Sequence, residues 1–297
     1  MHLGDGMVTT GCATFGLTTL TLGAGAAYLL HRKQDWKTPK TLHFALATAA
    51  IFAMQTFNVT VIPGTSSGHL IGGFMLACWF GPLFALLGMA MVLATQSLLF
   101  ADGGMIAWGM NSVLMGVLPA VVVYPLFKKT APKLTDNFAG QAVGSWISVM
   151  LAAFVCSLFV MSRAEARDNA GSWLSSMLLV HARIGLIEAA VTASLIAAVS
   201  WIAKLNWSVA VQTVVSCLAM AGVVIVASFG ASPWPDGLEY NLERLSIEAL
   251  PSLENTFALW PDYNSLVGTL AGNLILLAVA AAVVFVLSSV TSKKVSE

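Results

Sequence analysis

The sequence predicts an all-α polytopic membrane protein of about nine transmembrane helices, seven followed by two, with the N-terminus outside and the C-terminus inside. Three observations carry this expectation. Of 297 residues 58% are hydrophobic and 9% charged, where soluble domains are about one-quarter charged. Apolar runs of roughly 20 residues, the length of a membrane-spanning helix, recur along the chain. Basic residues gather in short segments between runs, as cytoplasmic loops do.

The long runs fall at 13–31, 42–58, 82–100, 105–127, 138–161, 179–203, 208–229 and 266–288. A shorter run, 69–80, stops at Gly81-Pro82, where proline breaks or kinks a helix. Twelve helical residues rise only ~18 Å, short of a ~30 Å hydrocarbon core. This piece is therefore a kinked half, a re-entrant segment or a short helix of its own. Charge parity chooses the last. Arg32, Lys33, Lys37 and Lys40, then Lys128, Lys129 and Lys133, then Lys204, then Lys293 and Lys294 all belong on the inner side. Between loop 59–68 outside and 128–133 inside the chain must cross an odd number of times, so 69–80 counts separately. The outer face then carries 1–12, 59–68, 101–104, 162–178 and 230–265.

Composition excludes several classes. Fourteen basic and fourteen acidic residues cancel, leaving no footprint for nucleic acid. Cys12, Cys78, Cys156 and Cys217 lack CxxC spacing and sit in or beside apolar runs, as small membrane-buried residues do. No HExxH, GxSxG or Walker sequence occurs. The first Lys or Arg is Arg32, so no basic leader precedes the first apolar run. Met1 is expected to be retained, because His2 is too large for methionine aminopeptidases.

Chemistry concentrates at the amino terminus. In Met1-His2-Leu3-Gly4-Asp5-Gly6, the α-amine, the His2 amide nitrogen and the His2 imidazole lie on one short chain and can close adjacent chelate rings. A fourth nitrogen would complete a square plane, suited to Ni(II) or Cu(II), and binding would release protons. His69, beside the polar loop 59–68, lies on the same side by parity. Gln96, Asn111, His181 and Glu188 are polar groups inside apolar runs, where such groups face a site or a partner helix. Gln96 and Asn111 are expected to fix imidazole orientation. His181 and Glu188, seven apart, share one helix face but lie ~10 Å apart along it. His31 and His43 flank the inner loop and are read as interfacial. Loop 230–265 holds Asp236, Glu239, Glu243, Glu248, Glu254 and Asp262 against Arg244 alone; it is a solvated acidic loop or an outer cap that draws in cations. A domain boundary is expected near 207.

Together these residues resemble the substrate-binding membrane subunits of energy-coupling-factor (ECF) transporters for cobalt and nickel, the CbiM/NikM type. The resemblance runs in order through Met1-His2 with Asp5-Gly6, Gly64-Thr65-Ser66, Gly68-His69-Leu70, Gly81-Pro82, Gln96 to Gly104, Gly109, Asn111, Met115-Gly116, and His181 through Glu188. It implies that the Met1 nitrogen, His2 and His69 hold Ni2+ or Co2+ as transported substrate, and that residues 1–207 form a seven-helix domain. Asp5, Ser67, Gln96, Asn111, His181 and Glu188 are the candidates for holding those ligands in place. The family's FGDGG reads Phe100-Ala101-Asp102-Gly103-Gly104 here, and Leu114 and Met7-Val8-Thr9 also depart from its pattern. Residues 208–297 resemble a fused two-helix auxiliary segment of the NikN type, through Pro235-Asp236-Gly237-Leu238-Glu239 and Trp260-Pro261-Asp262-Tyr263; neither Asp236 nor Glu239 is assigned as a metal ligand.

The implied activity is metal capture without ATP hydrolysis by this chain. The implied partners are a transmembrane coupling subunit (CbiQ/NikQ type) and two cytoplasmic ATP-binding subunits (CbiO/NikO type) in the plasma membrane. Small residues such as Ala45 and Ala49 are one candidate surface for docking them. Two other readings compete: an intramembrane metalloenzyme using His69, His181 and Glu188, and an ECF subunit for an organic vitamin.

Overall fold

The computed structural model describes residues 1–33, 38–162, 169–205, 207–208, 211–212, 214–215, 218–219, 222, 232–245, 258–261 and 266–293. The expected span 208–229 and the acidic residues Glu248, Glu254 and Asp262 fall wholly or mostly outside these. The elements are α1 (Thr10–Lys33), α2 (Thr41–Gln55), a hairpin of β1 (Val59–Ile62) and β2 (Ser66–Gly68), α3 (Gly73–Leu99), α4 (Trp108–Thr130), α5 (Pro132–Thr135), α6 (Phe138–Met161), α7 (Ala170–Ala203), α8 (Gly237–Arg244) and α9 (Leu266–Lys293). Among the described residues six helices are long and apolar enough to cross a membrane: α1, α3, α4, α6, α7 and α9. α2 is apolar but shorter. The chain is a multi-pass membrane protein.

Several boundaries move from their expected places for identifiable reasons. The run 42–58 stops being helical at Gln55, because Val59–Ile62 pairs antiparallel with Ser66–Gly68 around a turn at Gly64 (φ 79°). α7 begins at Ala170, so the end of the expected outer loop 162–178 is helix. The pieces 69–80 and 82–100 form one element with a break at Gly81 (φ 76°, ψ 173°), followed by Pro82. Glycine adopts that left-handed backbone at little cost, and proline has no amide to continue the ladder. The chain doubles back there: the Cβ position of Gly88 lies 3.2 Å from Leu76 Cδ1, whereas an unbroken helix would separate those residues by ~18 Å. The first arm does not open at His69. It begins at Gly73, and residues 69–72 run as irregular chain packed inside the protein.

The helical core is closed by small-residue contacts. α6 and α7 pack with Trp146 lying against Gly185, its indole N–H donating to the Ala182 carbonyl at 3.1 Å. Within α4 the stretch Val113–Val123 is wound as π-helix around Pro119, and Gly73 abuts the Met115 carbonyl and Pro119. α9, near the end of the chain, covers α2. Phe44, Ala45, Phe84, Ala280 and Val284 form one buried cluster, and Ala45 and Ala49 have no exposed surface. These two alanines are therefore not a docking surface for another subunit; their small side chains admit a helix of the same chain. Replacing Ala45 by Leu is expected to overpack this seam and lower stability by about 1–3 kcal/mol, read as a thermal midpoint of the detergent-solubilised protein.

Candidate metal centre

The amino-terminal arm is threaded into the protein and tied at three places. Asp5 accepts from the main-chain N–H groups of Met105 (3.1 Å), Ile106 (2.8 Å) and Ala107 (3.0 Å). Asn111 takes both main-chain groups of Leu3, accepting its N–H at 2.9 Å and donating to its carbonyl at 3.0 Å. The Gly104 N–H donates to the same carbonyl at 2.9 Å. A Cβ on Gly104 would collide with the Asp5 carboxylate, so the glycine is required by close approach. Asn111 thus positions the arm and not a histidine ring, contrary to expectation. Both polar side-chain atoms of Gln96 are buried without a hydrogen-bond partner among the described residues; its carbonyl accepts from Phe100 and Asp102 where α3 ends.

These ties place the Met1 nitrogen inside the protein, with Met1 only 4% exposed. It lies 2.7 Å from His69 Nε2 and donates to Asp236 Oδ2 at 2.5 Å. His69 Nδ1 is 3.0 Å from the Leu70 carbonyl, which can only accept, so Nδ1 carries the proton and the Nε2 lone pair faces the amine. The His2 ring stacks on His69, centroids 4.6 Å apart and 14° from parallel. His2 Nδ1 lies 3.0 Å from Asp102 Oδ1, and its Nε2 is buried without a partner among the described residues. His181 donates from Nδ1 to the Met177 carbonyl at 2.8 Å, leaving a buried, unpartnered Nε2. Met1, His69, Ile71, Val149, His181 and Ile184 line a cavity of about 10 Å³, room for about one water. Burial, then the neighbouring Met1 ammonium, pushes His69 down to about 3, so its imidazole stays in the neutral form that ligates metals.

Glu188 sits beneath this cluster and is 2% exposed. Its two oxygens accept the N–H groups of Ile71 (2.7 Å) and Gly72 (2.8 Å). The irregular chain that leads into α3 lies inside the protein, where its amides have no water to bond; a carboxylate from α7 accepts from them instead. Glu188 therefore fixes the segment that carries His69 and does not join a metal cluster. Gln55 adds to the same anchor, donating to the Ile71 carbonyl at 2.7 Å.

Sequence reasoning missed how fully the acidic loop enters this site. Among the described residues Ser67 donates its hydrogen bonds to the chain at 234–235 and not to a histidine. Its N–H donates to the Pro235 carbonyl at 2.8 Å and its hydroxyl to the Trp234 carbonyl at 2.5 Å, clasping the auxiliary segment to the hairpin. Asp236 caps α8 through Oδ1, accepting from Leu238 and Glu239, while Glu239 returns a bond to the Asp236 N–H. This capping box leaves Oδ2 for the Met1 ammonium. Gly237 rests on His181, whose Cε1 lies 2.9 Å from where a Cβ would stand. Leu238 is fully buried. Burial pulls the Asp236 carboxyl upward, but the adjacent Met1 ammonium outweighs it and holds the group below the usual carboxylate range. Asp236 in turn, with burial, raises Glu239. Farther along, the Trp260 N–H donates to the Leu99 carbonyl at 2.9 Å, and its ring lies 6.1 Å from Phe100. Asp102 was also missed as a ring-orienting group, although its motif was read.

Among the described residues no three His, Cys, Asp or Glu side chains converge as a metal site. The donors that do converge are a chain terminus and two imidazoles. Residues 2–204 match the family model for the cobalt uptake substrate-specific transmembrane region, CbiM. The chain belongs to the CbiM family. A provisionally named fused nickel transport protein NikMN of Archaeoglobus fulgidus is 31% identical, over 94% of this chain and 96% of that protein. A fused nickel transport protein NikMN of Rhodobacter capsulatus is 33% identical over 54% of this chain and 50% of its own length. A crystal structure of a transition metal transporter superposes with a TM-score of 0.58 at 22% identity, covering 69% of this chain and 95% of that one. The shared fold is that of a membrane transporter, and the family is one of metal transport proteins.

The family's FGDGG glycine, replaced here by Ala101, falls at a left-handed backbone position (φ 55°). Ala101→Gly should relieve that conformation and raise stability by about 1 kcal/mol, measured by thermal unfolding in detergent. Glu188→Ala should leave two buried amides unpaired and lower stability by about 3 kcal/mol. Hydrogen exchange at Ile71 and Gly72 should rise in that variant.

Proposed function

We propose that this CbiM-family chain captures Ni2+ or Co2+ at the outer membrane face, as the substrate-binding subunit of an ATP-driven ECF-type importer. The observation that carries the reading is the Met1 nitrogen, 2.7 Å from a His69 Nε2 whose lone pair faces it, with the His2 ring stacked alongside. Met1 nitrogen, His2 amide nitrogen, His2 imidazole and His69 Nε2 supply four nitrogens for a square plane. The amine must shed its proton to ligate, so loading releases protons. A chelate ring closed through the His2 side chain uses Nδ1, the atom now bonded to Asp102; loading turns that ring and frees the nitrogen. The four-nitrogen plane and the fused auxiliary segment favour nickel over cobalt.

Residues 1–207 carry the donors, and 208–297 act as the fused auxiliary part. Family membership supports the partners: a CbiQ/NikQ-type coupling subunit in the membrane and two CbiO/NikO-type subunits that hydrolyse ATP. The rival readings fit less well. Both Glu188 oxygens are engaged by amides, leaving the metalloenzyme reading without its carboxylate. The cavity at the site, about 10 Å³, is far below the roughly 300 Å³ and upward of small-molecule pockets, which disfavours a vitamin.

One extra residue ahead of Met1 moves the amine away from His69 and should abolish high-affinity Ni(II) and Co(II) binding, measured by calorimetry on the purified protein. Binding unchanged by the extension would remove the amine from the ligand set and defeat this reading.

A further inference from the structure

Asp236 belongs to the auxiliary segment, 235 residues from Met1 in sequence, yet its Oδ2 holds the Met1 ammonium at 2.5 Å and lies 3.9 Å from His69 Nε2. The carboxylate is aimed there by the capping box of α8, by the Ser67 clasp on the Trp234 and Pro235 carbonyls, and by Gly237 seated on His181. Each of these contacts would have to break for the segment to leave. A buried charge is tolerated only with its partner beside it. In the present arrangement Asp236 Oδ2 faces the positive charge of the ammonium. A divalent ion held by the neutral amine, the deprotonated His2 amide nitrogen and two neutral imidazoles also leaves one net positive charge. The same carboxylate at the same place therefore balances both states, and a metal-bound amine still has N–H groups to donate to it.

Resting on the capture reading, we propose that Asp236 is the counter-charge of the loaded site. The Pro235–Gly237 segment is the closure that retains the ion, and the ion keeps that closure shut. Asp236 acts as a positioning residue, bound to a ligand and not to the metal.

The test uses two variants of the full chain in detergent, loaded with Ni(II) and challenged with excess EDTA. Asp236→Asn removes the charge and keeps a helix cap of equal quality. Gly237→Ala keeps the charge and forces the segment off His181, since its Cβ would meet Cε1 at 2.9 Å. Both are expected to release Ni(II) faster, roughly thirtyfold for Asp236→Asn, as when one partner of a buried charge pair is lost; the metal-free thermal midpoint of Asp236→Asn also falls, because the same carboxylate partners the buried ammonium. Wild-type release rates in either variant overturn the proposal. A chain extended ahead of Met1 is run alongside. If that chain binds Ni(II) like the wild type, capture through the amine fails. If it does not bind and Asp236→Asn behaves as wild type, only the counter-charge assignment falls.

Discussion

Burying a chain terminus is the constraint on which this structure depends. An ammonium inside a membrane protein must meet a negative charge and hydrogen-bond acceptors close by, or its desolvation outweighs what the fold can supply. Here the acceptors are His69 Nε2 and Asp236 Oδ2. Everything around the amino terminus serves to bring it to them: Asn111 and Gly104 on Leu3, and three amides on Asp5. Because these ties run to the turn after α3 and to α4, the position of the terminus is a property of the packed helices.

His69 is placed by a second constraint of the same kind. The chain at 69–72 is irregular and buried, and irregular backbone inside a membrane protein survives only when its polar groups are paired within the protein. Glu188 and Gln55 pair them from α7 and α2. The site is thus the meeting of two irregular segments, the amino-terminal arm and the buried chain at 69–72, each held by side chains from regular helices. Rigid helices give the precision, and the irregular segments present the nitrogens.

The chain beyond residue 207 completes this arrangement. Its five-residue motif divides its labour. Pro235 offers its carbonyl to Ser67, Asp236 meets the ammonium, Gly237 gives room for His181, Leu238 is buried and Glu239 closes the capping box. Farther on, Trp260 docks at the end of α3 and α9 lies along α2. The segment is therefore integrated at both the site and the bundle.

The sequence by itself determined the membrane class, the long apolar helices, the family and the identity of the nitrogen-bearing residues. Those signals are local: an apolar run is long or it is not, and a Met-His start is visible in the first two letters. It also singled out Glu188, because an acidic residue within an apolar run needs a partner there. Only the tertiary structure decided which groups meet. Asn111 turned to Leu3 and Ser67 to the auxiliary segment, and Ala45 and Ala49 were covered by α9, because each partner lies far away in sequence. Asp236 looked like one more charge in an acidic loop. Its role follows from a backbone turn that caps α8 with one oxygen and leaves the other pointing at the buried ammonium, a direction that no residue pattern encodes.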